Sequence, residues 1–216
     1  MRVILIAAKE LGLAKTRLGS AMPEDERGAL AEAMYRDVLA AALGSHAAEL
    51  VAVVSSDRRL LEMARGAGAM AIDEEYARGL NVAVAMATGI LAEHGATTLC
   101  ALLSDIPMIT ASDIDAVFGA METAPGPGVV LVPSRDFSGT NVIARSPAGV
   151  IRTRFGRQSL AKHLDDCRAR AVPCQVLRLA RPALDLDLVN DLYEFVRTAS
   201  TTHTLNQLSR LGIAHH

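Results

Sequence analysis

Short, unbroken apolar runs alternate with longer amphipathic segments in this chain. The apolar runs cover 3–8, 50–55, 69–73 and 98–103. The amphipathic segments, whose apolar residues recur at helical spacing, cover 24–43, 58–66, 81–94 and 111–121. The apolar runs lack the polar–apolar alternation of a strand with one face in water, so they predict strands that are buried on both faces. We therefore expect a three-layer α/β fold, with a mainly parallel sheet between two layers of helices.

The pattern changes in the second half of the chain. Apolar runs at 129–133 and 141–144 flank a polar loop at 134–140, which predicts a hairpin-like addition to the sheet. Two further helices are predicted at about 159–171 and at 189–199.

The length of 216 residues favours one domain with a sizeable core. Residues 200–216 are rich in Thr and weakly patterned, and we expect them to form a mobile or partner-docked tail. The chain is therefore predicted to consist of one domain at 1–199 and a C-terminal tail at 200–216.

Composition excludes several classes of function. The formal net charge is -2 and aromatic residues make up 3% of the chain, so neither a clustered positive field nor a base-stacking platform for nucleic acid is expected. The apolar N-terminal run is too short for a signal peptide, and no later run has membrane-spanning length. The three cysteines form no disulfide framework and are typical of small buried side chains in a reducing compartment. We expect a cytoplasmic protein with no nucleic-acid or membrane partner.

Three cations follow the first predicted strand, in a loop that precedes a helix. They are Lys9, Lys15 and Arg17, and they would suit the phosphates of a nucleotide. A solvated basic loop is the alternative interpretation. The chain contains neither G-x-G-x-x-G nor G-x-x-x-x-G-K-[ST], so a dinucleotide fingerprint and a P-loop are both excluded.

Carboxylates stand at two further positions where a ligand site is expected. Asp105 follows the run at 98–103, and Asp185 and Asp187 share one face of an extended segment. Carboxylate oxygens are the ligands that Mg²⁺ prefers, so these residues could share a metal site. The alternatives are a turn role for Asp105 and a helix-capping role for Asp187.

Two loops with small and hydroxyl residues could hold a phosphate group. One contains Thr140, and the other contains Gly156 and opens a helix at Ser159. Each of these loops could equally be an ordinary turn. His163 follows on the same helix, and we interpret it as a packed or capping residue rather than a catalytic one.

Seven short motifs, taken in order, resemble the CofC/FbiD family, the guanylyltransferases of coenzyme F420 biosynthesis. The motifs are Ala8-Lys9 with Ala14-Lys15-Thr16-Arg17-Leu18, Ala33-Met34-Tyr35-Arg36-Asp37-Val38-Leu39, Gly79-Leu80-Asn81, Ser104-Asp105-Ile106-Pro107, Gly139-Thr140-Asn141, Phe155-Gly156-x-x-Ser159-x-x-x-His163 and Asp185-Leu186-Asp187. The resemblance covers residues 1 to about 195. It departs at Ala8, where the family often has proline, and at Leu188 to Asn190, where it usually has Thr-Pro-Glu. The tail at 200–216 is the third departure, since no counterpart in the family can be placed for it.

The resemblance implies a fold and a reaction. The fold is a nucleotide-diphospho-sugar-transferase-like, Rossmann-like single domain. The reaction is the Mg²⁺-dependent transfer of GMP from GTP to the phosphate of a small three-carbon acid, with release of pyrophosphate. The acid is 2-phospho-L-lactate, phosphoenolpyruvate or 3-phospho-D-glycerate, depending on the member of the family.

The resemblance also implies a role for individual residues. Lys15, Arg17 and Asp105 would be catalytic, Lys9 would join the two cations on the GTP phosphates, and Leu80 and Asn81 would lie beside the guanosine. Thr140, Gly156 and Ser159 would hold the acceptor's phosphate. Asp105 with Asp185 or Asp187 would hold Mg²⁺.

Two other functions remain as alternatives. One is another nucleotidyltransferase of the same fold, of the molybdopterin type, although the first loop lacks the glycine pair of those enzymes. The other is a catalytically silent nucleotide-binding module, although acidic residues that repel each other have no reason to be kept together without a metal. A homodimer is an open alternative to a monomer.

Overall fold

The computed structural model describes residues 1–19, 21–123 and 126–213. The strands are β1 (Arg2–Ala7), β2 (Leu50–Ser55), β3 (Met70–Asp73), β4 (Thr98–Leu103), β5 (Gly128–Pro133), β6 (Thr140–Ser146) and β7 (Cys174–Val176). The helices are α1 (Glu24–Leu43), α2 (Arg58–Gly66), α3 (Leu80–Glu93), α4 (Ala111–Glu122), α5 (Ser159–Ala169), α6 (Ala180–Ala183), α7 (Val189–Thr198) and α8 (His203–Arg210). None of these helices is long and apolar enough to cross a membrane.

The strands form one sheet in the order β3-β2-β1-β4-β6-β5-β7. Strand β6 is antiparallel to both of its neighbours, β4 and β5, whereas every other strand pair is parallel. The mainly parallel sheet and the hairpin at β5 and β6 are therefore both confirmed.

The unbroken apolar runs arise because both faces of the sheet are covered. In β1, Ile4 and Ile6 pack with α1, α2 and α4 on one face, and Val3 and Leu5 pack with α3 and α5 on the other. Successive side chains enter opposite cores, so each position in the strand must be apolar. This confirms the three-layer arrangement.

A third apolar cluster lies beyond the sheet and joins distant parts of the chain. It contains Leu18, Met22, Leu30, Met34, Leu184, Leu186, Leu192, Phe195 and Leu208. Its members come from the loop after β1, from α1, and from the segments between β7 and α8. The cluster therefore holds the first loop of the chain against the C-terminal segments.

The C-terminal tail differs from its prediction. Residues 203–210 form α8, which packs against α1 of the same chain. The buried Asp37 of α1 accepts hydrogen bonds from the backbone N–H groups of His203 and Thr204, at 2.8 and 2.9 Å, and from the Thr204 hydroxyl at 2.6 Å. The expectation of a mobile or partner-docked tail is thus corrected for this helix. The Thr-rich composition of the tail gave no sign of the short apolar stripe by which α8 packs. Residues 214–216 of the predicted tail lie outside the described residues.

Candidate active site

Lys15 joins the first loop to two of the acidic residues. Its Nζ donates to Asp105 Oδ2 at 2.7 Å and to Asp187 Oδ1 at 2.9 Å, and its side chain is only 6% exposed. Arg17 lies further out, where its Nη1 donates to Asp187 Oδ2 at 3.2 Å. Two of the three predicted cations and two of the three predicted carboxylates therefore meet at the carboxyl edge of the sheet.

Local structure sets the position of Lys15. The loop consists of two short 3-10 turns, and Lys15 stands between them with a φ of 52°, in the left-handed region. Leu18, the last residue of the second turn, is fully buried in the third apolar cluster. A strained residue between two anchored turns is held in place by its surroundings, and the strain points to a functional position.

Asp57 anchors the start of the same loop. Its Oδ2 accepts from the backbone N–H of Leu11 at 3.0 Å, while its Oδ1 caps α2 by accepting from the N–H groups of Arg59 and Leu60. Asp57 is absent from the predicted site. An aspartate directly before a helix predicts an N-cap, but the bond to Leu11 spans 46 positions and only the structure reveals it.

Charge and burial oppose each other in the cluster. Burial disfavours the ammonium of Lys15, but the neighbouring Asp105 and Asp187 outweigh it and raise the pKa of Lys15 above its ordinary value. Burial likewise works against ionised Asp187, but Lys15 and then Arg17 and Lys9 hold its pKa below the usual range. Lys15 and Asp187 are therefore both charged near neutral pH.

Asp185 differs from the other two carboxylates. Burial and then the negative charge of Asp105 raise the pKa of Asp185 to about 6. Its Oδ1 accepts from Asn141 Nδ2 at 3.3 Å, and no lysine or arginine pairs with it among the described residues. A carboxylate with a raised pKa beside other carboxylates gains from a nearby cation.

Asn141 and Arg181 position the acidic segment. The buried Asn141 amide also donates to the backbone carbonyls of Pro182 and Ala183, at 3.0 and 3.2 Å. Arg181 forms a paired bond to Asp113, at 2.8 and 2.7 Å, which ties the segment to α4. Asn141 belongs to one of the sequence motifs, but the sequence does not predict that it positions the acidic segment.

The three carboxylates offer a suitable donor set for Mg²⁺. Asp105 Oδ1 is buried and has no hydrogen-bond partner within the described ranges. Carboxylate oxygens are hard ligands, and an unpaired buried one is costly unless a cation or donor satisfies it. In the same ranges, no three His, Cys, Asp or Glu side chains are arranged as a complete metal site, and Lys15 Nζ bridges two of the proposed ligands. The metal assignment therefore stays a prediction.

The hydroxyls of the proposed phosphate cradle come from the first residue of β6, Thr140, and the first residue of α5, Ser159. Thr140 is buried, and its Oγ1 lies 3.1 Å from His163 Nδ1. Ser159 is also buried, and its Oγ has no partner in the part of the chain that the structure describes. A side chain on Gly139 would come within 2.8 Å of Ser134 Oγ, so the loop before Thr140 requires glycine there. Gly156 has a φ of 112°, a conformation that also favours glycine.

His163 has a packing role, as the sequence indicated. Its Nε2 accepts from the backbone N–H of Arg154 at 2.8 Å, so Nδ1 carries the proton and donates to Thr140. Burial and then the positive charge of Arg145 lower the pKa of His163 to about 4. The ring is therefore neutral at physiological pH.

The remaining predicted nucleotide residues lie in two places. Lys9 is exposed in the loop after β1, and Leu80 is half-buried at the start of α3. Asn81 follows Leu80, but its amide makes two bonds to the backbone of Phe155. Lys9 is thus accessible to a ligand, whereas the amide of Asn81 is hydrogen-bonded to the backbone of Phe155.

Comparisons with known proteins identify the family. The family model described as guanylyl transferase CofC like matches residues 1–216, and so includes the tail. A phosphoenolpyruvate guanylyltransferase of Sphaerobacter thermophilus is 34% identical over 89% of this chain and 91% of its own length. A 3-phospho-D-glycerate guanylyltransferase of Phenylobacterium zucineum is 35% identical over 92% and 91%. A 2-phospho-L-lactate guanylyltransferase of Methanothermobacter thermautotrophicus is 31% identical over 92% and 85%.

Solved structures agree on the fold. A protein of Desulfovibrio desulfuricans, described as a candidate nucleotide-diphospho-sugar transferase, superimposes with a TM-score of 0.78 over 99% of this chain and 96% of its own, at 18% identity. This confirms the predicted nucleotide-diphospho-sugar-transferase-like fold. The chain therefore belongs to the CofC-like family of guanylyl transferases and is a nucleotidyltransferase.

Proposed function

We propose that this protein transfers GMP from GTP to the phosphate of a small three-carbon acid in coenzyme F420 biosynthesis, using Mg²⁺ and releasing pyrophosphate. The observation that carries the proposal is the ammonium group of Lys15, buried between Asp105 and Asp187 at 2.7 and 2.9 Å. This cluster provides positive charge for a triphosphate and carboxylates for a metal at one edge of the sheet.

The chemistry requires little from the protein besides charge and alignment. A phosphate monoester has a second pKa of about 6, so the attacking oxygen is already ionised near neutral pH and needs no general base. That oxygen forms a new bond to the α-phosphorus of GTP, and the bond from the α-phosphorus to the bridging oxygen breaks. Pyrophosphate leaves with the electron pair of the broken bond.

The cations of the first loop would stabilise the charge that develops in this step. Lys15, held by its two carboxylates, would face the α-phosphate, and the exposed Lys9 and Arg17 would neutralise the departing pyrophosphate. Such preorganised charges act without reorganisation during the reaction, which is how they accelerate it.

Asp105, Asp185 and Asp187 would hold the metal. When bound, Mg²⁺ supplies Lewis-acid neutralisation of phosphate oxygens. The unpartnered Asp105 Oδ1 and the raised pKa of Asp185 support this assignment, because both indicate carboxylate groups that a cation would stabilise.

The acceptor would bind at the start of α5, with Thr140, Gly156 and Ser159 around its phosphate. The positive end of a helix dipole favours an anion, and no side-chain cap occupies the start of α5 among the described residues. The N–H groups of Ser159 and Leu160 donate to the carbonyls of Gly156 and Ser138, at 3.1 and 3.5 Å, so the side-chain hydroxyls would make the direct bonds to the phosphate. The relatives named above act on three different acids, and we propose that the acceptor here is one of these.

The experiment measures pyrophosphate release with Mg²⁺ and GTP. Phosphoenolpyruvate, 3-phospho-D-glycerate and 2-phospho-L-lactate are offered in parallel, with ATP and CTP in place of GTP as controls. Release with GTP and one of the acids is the expected result. No release with any of them would overturn the proposed reaction, and stabilisation by GTP with Mg²⁺ alone would then favour a silent nucleotide-binding module.

A further inference from the structure

The side-chain amide of Asn81 forms one hydrogen bond from each of its two ends to the backbone of a distant residue. Its Nδ2 donates to the carbonyl of Phe155 at 3.0 Å, and its Oδ1 accepts from the N–H of Phe155 at 2.7 Å. These two bonds link the first turn of α3 to a loop 74 positions away. One N–H and one lone pair of the amide remain, but the two bonds to Phe155 use the other donor and acceptor and fix the orientation of the group.

The preceding residue of that loop is held by one backbone hydrogen bond to a side chain of α5. The N–H of Arg154 donates to His163 Nε2 at 2.8 Å, and His163 stands on α5. The rings of Phe155 and His163 meet edge to face, with their centroids 5.8 Å apart. The backbone at 154 and 155 is therefore clamped by one side chain from α3 and one from α5.

The clamped residues lead directly into the proposed phosphate cradle. Gly156 follows at once, and its carbonyl accepts from the N–H of Ser159 at 3.1 Å. His163 also donates to Thr140 on the other side of the cradle. A displacement at 154 or 155 would thus move Gly156 and Ser159 relative to Thr140.

We infer that Asn81 and His163 are positioning residues that set the turn at 154–156, and that Asn81 acts on the acceptor site and not on the guanosine. This replaces the role that the family resemblance implied for Asn81, and it rests on the proposed function because it concerns the acceptor of that reaction. Through the two bonds from Asn81 to Phe155, the start of α3 helps to hold the acceptor site in place.

The test compares Asn81→Ala with wild type in two measurements. The first is steady-state kinetics with each substrate varied. Loss of two backbone bonds should raise KM for the acceptor acid about 10-fold or more and leave KM for GTP within about 2-fold. The second is hydrogen exchange of the peptide that spans 152–158, whose amides at 154 and 155 should exchange faster in the variant.

Three further variants and a control sharpen the test. His163→Gln keeps an oxygen that can accept from Arg154, so it should lie closer to wild type in acceptor KM than His163→Ala does. Asn81→Asp keeps the bond from the Phe155 N–H but places a carboxylate against the Phe155 carbonyl, so it should still impair acceptor binding. Asn206→Ala, on the exposed surface of α8, should change neither KM nor exchange.

Other outcomes would overturn the inference. In Asn81→Ala, KM for GTP could rise while the acceptor KM stays unchanged and discrimination between GTP and ATP weakens. That result would show that Asn81 contacts the guanosine. Unchanged exchange at 152–158 in a folded Asn81→Ala protein would show that the clamp does not hold the turn. A wild-type protein that transfers GMP to none of the acids would overturn the proposed function and, with it, the acceptor role of Asn81.

Discussion

Lys15 Nζ lies 2.7 Å from Asp105 Oδ2, although the two residues are 90 positions apart in the chain. The contact places an ammonium group of the first loop among carboxylates from the end of β4 and from the segment before α7. A buried ion pair of this kind contributes little to stability by itself, because both groups lose their hydration. We therefore attribute its presence to function.

Lys15→Met should reduce turnover by about 100-fold or more and raise KM for GTP, because it removes a preorganised charge from the reacting phosphates. It also leaves Asp105 and Asp187 without their shared partner. Steady-state kinetics with GTP varied provides the measurement, and Arg210→Met on the exposed surface of α8 is the control. Unchanged GTP kinetics in Lys15→Met would place the triphosphate elsewhere.

Asp105→Asn at saturating Mg²⁺ should lower GMP transfer by about 100-fold or more, since the carboxylate would be lost both as a metal ligand and as a partner of Lys15. Removal of divalent cations by a chelator should abolish transfer by the wild type, and added Mg²⁺ should restore it. Asp165→Asn, an exposed residue of α5, is the matched control. Activity of Asp105→Asn within a few-fold of wild type would refute the metal assignment.

Ser159→Ala should separate binding from stability. Ser159 Oγ is buried without a partner in the described ranges, so its removal should leave the free energy of unfolding unchanged or slightly raised. If the hydroxyl holds the acceptor's phosphate, KM for the acid should rise about 10-fold. Thermal unfolding and kinetics with the acid varied are measured side by side, with Ser200→Ala as the exposed control. A destabilised variant with normal acceptor kinetics would contradict the cradle.

His163 should make the protein less stable in mild acid. Its pKa is about 4 in the folded state, below the ordinary 6.5, so protons bind preferentially to the unfolded chain. Its contribution is complete above pH 6.5 and is lost as the pH falls toward 4, which amounts to about 2 kcal/mol at pH 5. Denaturant unfolding at pH 7.5 and pH 5 should show this loss in wild type and a smaller one in His163→Gln. An equal pH dependence in both would assign the acid sensitivity to other groups.

Asp37→Ala should detach α8 from α1. Three donors of the last helix would lose their acceptor, two of them at the buried Thr204, at a cost of about 1–3 kcal/mol. The free energy of unfolding should fall by that amount, and the amides of α8 should exchange faster. Asp25→Asn, exposed on the same helix, should have little effect. If the loss is confined to α8 and catalysis is normal, the helix has a stabilising role only.

The sequence was most informative where local physical signals mark an element. The amphipathic segment at 24–43 predicted α1 with both of its bounds, because helical spacing depends on neighbouring residues alone. Asn141 shows the limit. Its motif was visible, but its bonds reach Asp185 and Pro182, more than 40 positions away, and no local pattern encodes such a pairing.

The site was predicted in the same uneven way. The cations and carboxylates could be named because charged residues after buried strands are conspicuous, and the structure brings Lys15, Arg17, Asp105 and Asp187 together. The family resemblance indicated Asn81 as a site residue, but its contacts could not be predicted. Its partner is a backbone group, which leaves no pattern in the sequence. Asp57 was not predicted as a site residue, because an aspartate directly before α2 is already explained as the N-cap of that helix.

The third apolar cluster has a consequence for how the protein is made. Leu18 and Met22, which anchor the end of the first loop, pack against Leu192, Phe195 and Leu208. A ribosome synthesises the loop early and these partners near the end, so a nascent chain can form much of its sheet while the loop still lacks its anchor. We expect the growing polypeptide to fix the first loop, and with it the proposed GTP site, only once α7 and α8 have emerged from the exit tunnel.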